Sequence, residues 1–420
     1  MQVAVVGAGV IGVCTAYFLA EAGHEVVVME RRNHVAEEAS FGDAGLMAAD
    51  AVAPWAGPGM PTSMLQLLRK PDGPFFVQRK WNTEIWKWLG QWGRECDVER
   101  YRLNRERMHR VAAYSQSVMQ QLREHHQLDY EQGTGLLQIF RTEKDLQRLQ
   151  AARDFLQAAG IAHRFIGAEE AHALEPALHA QTAMAGALHL PDAESGNCPL
   201  FTRQMRQLAQ QLGVQFHFGC HVQDIHRSHR GVMLEVDGVH YSADAVVLAT
   251  GADSGSLLRS LRLALPTIAV RHHAMTARIR NFESTPVNAL FDEHHRISIT
   301  RLDNRLRIAG TAELGSRQDT PREDAIQALL KVAYDWFPDA SNYNAATFWS
   351  GSSLALPDGV PLLGPSGLEN VYLNIGHGHA GWAMAAGSGK LLADLMSSRA
   401  ADIDLDGLTP LRYQRTAAAA

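Results

Sequence analysis

An apolar run, Val3-Ala4-Val5-Val6, leads straight into Gly7-Ala8-Gly9-Val10-Ile11-Gly12. A helical stretch then carries the chain to a second apolar run, Glu25-Val26-Val27-Val28-Met29, which ends at Glu30. Strand, glycine turn, helix, strand and terminal acid in this order specify a βαβ unit that binds a dinucleotide. Gly7 permits the tight turn out of the strand, Gly9 lets backbone approach a pyrophosphate, and Gly12 lets the helix pack closely on the strand. The helix N-terminus offers free N–H groups and the positive end of its dipole to phosphate. Glu30 can accept both ribose hydroxyls and repels a 2′-phosphate, which argues against NADP. Ala8, Val10, Ile11 and the following Arg31 complete the expected contact set of this unit.

At 420 residues the chain exceeds the size at which one hydrophobic core keeps growing, so two domains are expected. The net charge of −6 supplies no basic field for collecting phosphates, and no nucleic-acid partner is expected. Cys14, Cys96, Cys198 and Cys220 are scattered without paired spacing and read as reduced thiols of a cytoplasmic protein. Met1-Gln2 run directly into the first strand, so no signal peptide is expected, and no apolar run reaches membrane-spanning length. From Met60 to Trp92 aromatic and aliphatic residues mix with Arg69, Lys70, Arg79, Lys80 and Lys87. The favoured reading is buried anchors of a substrate-domain helix; the other is an interfacial segment touching the inner face of the cytoplasmic membrane.

Ala245-Val246-Val247-Leu248-Ala249 is apolar on both faces and ends in Thr250-Gly251, as a central strand of the same parallel sheet would. Val232–Val236 and Val239–Tyr241 read as a hairpin turned by Asp237-Gly238. Near the end, Val371–Ile375 is a further strand running into Gly376-His377-Gly378-His379-Ala380-Gly381-Trp382 and a helix through Met396. The fold class expected is α/β joined to α+β. A Rossmann-like nucleotide-binding domain is assembled from residues 1–60, 194–264 and 349–415. A substrate domain with an antiparallel sheet and helices is inserted as residues 61–193 and 265–348, and 416–420 is a tail.

A nicotinamide cofactor reducing a flavin would require a second glycine fingerprint, and none is present, so hydride is expected to come from the substrate itself. Gly376, Gly378 and Gly381 let backbone approach a flat ring, and the following helix dipole can stabilise negative charge on it. These features point to FAD. The chain here resembles the D-amino acid dehydrogenase (small subunit) family, within the FAD-dependent D-amino acid oxidase and glycine oxidase superfamily. The resemblance is carried by Ala53-Pro54-Trp55-Ala56-Gly57-Pro58-Gly59, Leu137-Gln138-Ile139-Phe140-Arg141-Thr142-Glu143, Ile299-Thr300-Arg301-Leu302-Asp303-Asn304-Arg305, Ala346-Thr347-Phe348-Trp349 and Pro357-Asp358-Gly359, and reaches to about Arg415. It implies oxidative deamination of D-amino acids, with electrons leaving toward a quinone or other acceptor. It also implies that Ser40, Phe41, Ala44 and Gly45 line the flavin, that Val222 meets the adenine side, and that Gly378 to Trp382, including Ala380, lie at the reactive end. A homo-oligomer is among the expected assemblies.

Hydride transfer from a neutral amine needs little beyond positioning. The superfamily grips the substrate carboxylate with an arginine after the Trp-x-Gly turn, but here Gly351-Ser352-Ser353-Leu354 puts Ser353 at that place. The family tyrosine after the flavin loop becomes Ala51, its Lys-Gly-Tyr-Ser becomes Arg271-His272-His273-Ala274, and a threonine becomes His379. Two readings follow. Either Arg271, Arg301 or His273 holds a displaced carboxylate, or the substrate lacks one beside its amine, with His379 as a substrate hydrogen-bonding group; alternatively the chain is a flavin-binding accessory subunit without turnover. Ordered replacement by arginine and histidine favours an altered substrate. Asp43 can attract a cationic amine, or be a solvated loop acid. The histidine pairs lack acidic or cysteine partners at ligand spacing, so no metal is expected.

Overall fold

A computed structural model of the chain describes residues 1–60, 74–77, 83–147, 149–228, 231–315 and 320–413. The two apolar runs of the first unit become adjacent parallel strands, Gln2–Val6 and Glu25–Glu30, with Val5 opposite Val28. Ala245–Leu248 pairs on the other side of Gln2–Val6, and Val371–Ile375 lies beyond it. Gln215–Phe218 and Leu362–Pro365 close the edges of this six-stranded sheet, the latter antiparallel.

Both faces of these strands are buried, which is why their sequences run apolar without alternation. Val3, Val5, Val28 and Val247 face a layer that includes helices Val10–Glu21, Cys198–Gln211 and Gly381–Met396. Ala4, Val6, Val27, Val246 and Leu248 face the three-stranded sheet of Val222–Ser228, Gly231–Val236 and Val239–Ala243, with Leu257 and Leu258 of helix Ser254–Ser260. Each such aliphatic side chain contributes roughly 1.5–3 kcal/mol by leaving water. The Asp237-Gly238 turn has φ of 49° and 81°, the left-handed pair that a two-residue hairpin requires. At Gly389 a Cβ would come within 2.9 Å of the Cys14-Thr15 backbone, so only glycine lets Gly381–Met396 lie so close to Val10–Glu21.

A second, ten-stranded and mainly antiparallel sheet runs Thr347–Ala355, Ile268–Arg278, Arg305–Leu314, Ile297–Leu302, Ala289–Asp292, Gly133–Phe140, Gly186–Ser195 and Leu46–Met47, with Phe75–Val77 and Arg164–Ile166 as branches. One face, through Met275, Ala277, Ile297, Ile299, Leu306 and Ile308, packs on Leu329, Val332 and Trp336 of helix Glu323–Trp336. Alternation turns the other set of side chains toward the nucleotide unit. The boundary expected at 349 falls inside a strand of this sheet. Thr347–Ala355 pairs with Ile268–Arg278 through Ser353 opposite Val270, and Leu46–Met47 also joins this sheet, because strand pairing between residues distant in sequence, not local motifs, decides which sheet a segment enters.

All four cysteines are free thiols, and only Cys220 is not fully buried. Helix Thr83–Glu95 buries Ile85, Trp88 and Trp92 and leaves Trp86 58% exposed. The rest of the aromatic and basic segment, residues 61–73 and 78–82, and the terminal 416–420 lie outside the described residues. Among the described residues no helix is long and apolar enough to cross a membrane.

Candidate active site

Between the two sheets lies one cavity of about 1220 Å³, lined from Gly7 and Gly9 at one end to Trp55, His272 and Ser353 at the other. At the first end Gly7 has φ of +104°, and its N–H donates to the Met29 carbonyl at 2.9 Å. A Cβ at Gly12 would overlap the Gly7 carbonyl, so the first helix can start this close to the turn only with glycine there. That helix has no side-chain cap; the Val10 N–H donates to Ser40 Oγ at 3.0 Å, drawing the later loop over the helix N-terminus.

Glu30 accepts the Ala8 N–H at 2.7 Å on one oxygen and the Arg32 N–H at 2.8 Å on the other, which fixes its carboxylate at the cavity wall with lone pairs to spare. Val222, Thr250 and Gly251 complete this end. Glycine backbone, an uncapped helix start and a buried acid form a donor and acceptor set that fits an adenosine diphosphate. Arg31 also lines the cavity, but its guanidinium is held by Glu38 at 2.6 Å and Asp253 at 2.8 Å.

Farther along, the Phe41 carbonyl accepts from Arg307 Nη1 at 2.8 Å, and the Ala44 carbonyl accepts from Thr300 Oγ1 at 2.7 Å. These two bonds tie the Ser40–Gly45 loop to the ten-stranded sheet. Asp43 Oδ1 accepts the Gly45 N–H at 2.8 Å. Burial pushes the Asp43 carboxyl up to about 6, against the opposing effects of that hydrogen bond and of Arg307. Across from it Gly376, Gly378, Ala380, Gly381 and Trp382 form the turn into the last helix. A Cβ at Gly378 would meet nothing within 4 Å, which leaves a flat surface open to the cavity.

At the far end the Trp55 indole stacks on His379, with centroids 5.2 Å apart and planes at 14°, and takes His272 edge-on at 5.7 Å. His272 Nδ1 lies 3.1 Å from the Thr311 carbonyl and must donate to it, so Nε2 is the acceptor for the Ser353 hydroxyl at 2.9 Å. Burial pushes His272 down to about 4, partly offset by the Thr311 carbonyl. The His379 ring is open to the cavity while protein surrounds that cavity. Burial, with His272 and Arg296 adding positive charge, brings it to about 3. Both imidazoles are neutral at pH 7.

Most expected residues converge on this cavity, but six stand elsewhere or face another way. Arg301 is exposed on its strand, lying over the Phe282 ring at 5.2 Å, with Nη1 donating to Thr285 Oγ1; it is not in the cavity wall. Ala8, Gly12 and Gly45 sit behind the wall, where they position Glu30, the first helix and Asp43. His273 has its Nδ1 at 3.0 Å from Thr311 Oγ1. Strand alternation sends it to the side of Met275 and Ala277, opposite His272, although its residue still borders the cavity. Arg271, on the same side as His273, donates to Ser350 Oγ. His272 and Trp55 are the polar and aromatic groups that sequence reading missed. His272 follows from alternation once Ser353 is known to lie two residues from its cross-strand partner Gly351.

Residues 2–395 match the family described as FAD dependent oxidoreductase. The chain is 39% identical over 417 residues to a D-amino acid dehydrogenase of Neisseria meningitidis, covering 99% of this chain and all of that protein. It is 37% identical over 416 residues to D-amino acid dehydrogenase 1 of Mesorhizobium japonicum, covering 98% and 100%. Its fold is similar to that of a glycine oxidase from Geobacillus kaustophilus, with a TM-score of 0.76 at 23% identity over 97% of this chain and 98% of that one. It is also similar to that of an L-proline dehydrogenase from P. horikoshii, with a TM-score of 0.74 at 16% identity over 99% and 98%.

Proposed function

This chain belongs to the family of FAD-dependent oxidoreductases, and from that membership we propose that it oxidises the C–N bond of an amine-bearing substrate, an amino acid or related amine. Electrons pass on to a quinone or similar carrier. The observation that carries this reading is the Ser353–His272 pair, a neutral hydrogen-bonding site facing the same cavity as the dinucleotide cradle.

Gly7, Gly9, the start of the first helix, Glu30 and Ser40 would hold the dinucleotide, and Ala44 with Gly378 to Trp382 would border the ring. FAD, when bound, supplies the hydride acceptor. The chain contributes orientation and exclusion. His272 takes the proton of the Ser353 hydroxyl in a hydrogen bond, so the lone pairs of Ser353 Oγ are free to receive an N–H of the substrate. The Thr311 carbonyl locks the His272 ring and keeps that polarity from reversing. Trp55 and His379 form a flat wall that keeps water from the reacting carbon.

Anaerobic titration of the yellow holoprotein with a panel of D-amino acids, imino acids and simple amines tests the reading. Bleaching of the flavin by one member supports it. Tight FAD binding with no reduction by any member supports instead a flavin-carrying accessory subunit.

A further inference from the structure

The cavity continues past the Ser353–His272 pair, beneath Leu136, Leu188 and Leu190 of the sixth and seventh strands of the ten-stranded sheet. Leu149 and Leu156 cover it from the segment around helix Gln150–Ala158. The strands of His272 and Leu136 stand four places apart in the sheet, roughly 19 Å along it. Ala48 and Ala51 keep this extension wide. Gln138, Glu293, His294 and Arg296 line the cavity as well, but the five leucines supply an apolar wall for a hydrocarbon body, and the extension is too long for a small amino acid alone.

Arg105, on helix Val98–His126, lines this end and is 3% exposed. Its guanidinium lies over the Phe155 ring at 4.4 Å. Nη1 reaches the Tyr101 hydroxyl at 3.4 Å and Nη2 the Asp50 backbone carbonyl at 3.5 Å, both long, and the buried Nε has no hydrogen-bond partner. Among the described residues no carboxylate lies within ion-pair distance of it; Asp50 accepts from it through its backbone carbonyl, and the Asp50 carboxylate acts on it only as a charge at longer range. A buried cation with no ion pair and an unmet N–H is costly. Few residues are kept in such a state unless something anionic completes them.

We propose that Arg105 is a distal carboxylate subsite, and that the substrate is an amine whose carboxylate sits at the end of an apolar chain or ring system instead of beside the reacting carbon. The proposal rests on reading the cavity as an amine-oxidation site, and it explains how Ser353 can stand where a carboxylate-gripping arginine is expected. The amine docks at Ser353 and His272, the apolar body lies against Leu136, Leu149, Leu156 and Leu188, and the far carboxylate meets the planar fork of Arg105. Asp50 beside this end disfavours a second anion, so one carboxylate per ligand is accommodated.

The test is calorimetric binding to the oxidised holoprotein, which does not depend on turnover. Linear ω-aminoalkanoates of increasing length are compared with n-alkylamines and n-alkanoates of matched length. The expected result is an optimum length at which the ω-aminoalkanoate binds at least about tenfold more tightly than the matched alkylamine. Arg105→Leu should collapse that ratio toward one, and Arg105→Lys should restore part of it. If wild-type protein binds alkylamines and ω-aminoalkanoates equally at every length, the subsite is refuted whether or not the variants fold. A ratio unchanged in Arg105→Leu refutes it as well, and a role in stability alone would shift Tm without touching the ratio. Tight binding of alkanoates without an amine identifies a plain anion site and overturns the assignment to substrate. Length-dependent binding without flavin reduction leaves the subsite standing and removes the oxidation reading.

Discussion

Ser353 Oγ stands 2.9 Å from His272 Nε2, and the opposite ring nitrogen, 3.1 Å from the Thr311 carbonyl, decides which of the two donates. The pair is therefore polar, neutral and of fixed direction. A guanidinium at position 353 would turn the same spot into a carboxylate clamp.

Ser353→Arg is expected to improve binding of small D-amino acids such as D-alanine by about tenfold or more, the scale of a charge-assisted bidentate contact. The parent protein should be reduced by them poorly. Stopped-flow reduction measures both, and rapid reduction of the unaltered protein by D-alanine would sink the argument about this position.

Glu30→Ala removes the acceptor for the Ala8 and Arg32 N–H groups together with the proposed ribose contact. FAD affinity should fall by about tenfold to a hundredfold, as for loss of a hydrogen-bonded charge. Fluorescence titration of apoprotein with FAD reads it directly; an unchanged Kd would detach Glu30 from the cofactor.

Asp43 ionises near pH 6 because burial opposes its charge beside the flavin-lining loop. The visible spectrum of the oxidised holoprotein should shift between pH 5 and 7, centred near 6. Asp43→Asn should abolish that transition. Persistence of the shift in the variant would assign it to another group.

His272 at about 4, and His273, His377 and His379 at about 3, are all held below the 6.5 of a free imidazole, first by burial. The unfolded chain then binds more protons than the folded one as pH falls below 6.5. Their contribution to stability is complete above that value and is lost toward pH 3 to 4. Asp43 acts in the opposite sense between 3.8 and about 6, as do Asp50, Glu175 and Asp253, whose carboxyls burial also raises, while Asp145, Asp292 and Asp335 and the lowered His24, His126 and His189 act with the four histidines. Tm should drop steadily from neutral pH into this range; a flat profile would contradict these assignments.

Asp292 is fully buried, paired with Arg141 at 2.6 Å and hydrogen-bonded by Trp336 Nε1 at 2.8 Å. Burial alone would raise its pKa, but His295 and Arg141 hold the carboxyl well below the usual range. Asp292→Ala leaves Arg141 with Asp335 at 2.6 Å as its remaining carboxylate and leaves Trp336 Nε1 and His295 without their acceptor, and should cost about 3 kcal/mol. Denaturant unfolding measures it, and a loss under 1 kcal/mol would mean the network relaxes around the gap.

The first βαβ unit was legible in the sequence because its determinants are local. Glycine at 7, 9 and 12, an apolar strand on either side and an acid at 30 each act on neighbours a few residues away, and the structure brings that acid onto the glycine turn through the Ala8 N–H. The Asp237-Gly238 hairpin and the turn into Gly381–Met396 were legible for the same reason. The substrate end was not. His272 meets Ser353 across a strand pairing 81 residues apart in sequence, while Arg301, alike in type to Arg271 and Arg105, faces outward. Register and alternation assign each side chain to one face of a sheet, and burial then removes its water. Residue type is thus carried by the sequence itself, whereas which arginine is buried without an ion pair and which histidine stays neutral are set only when distant strands and helices close around them.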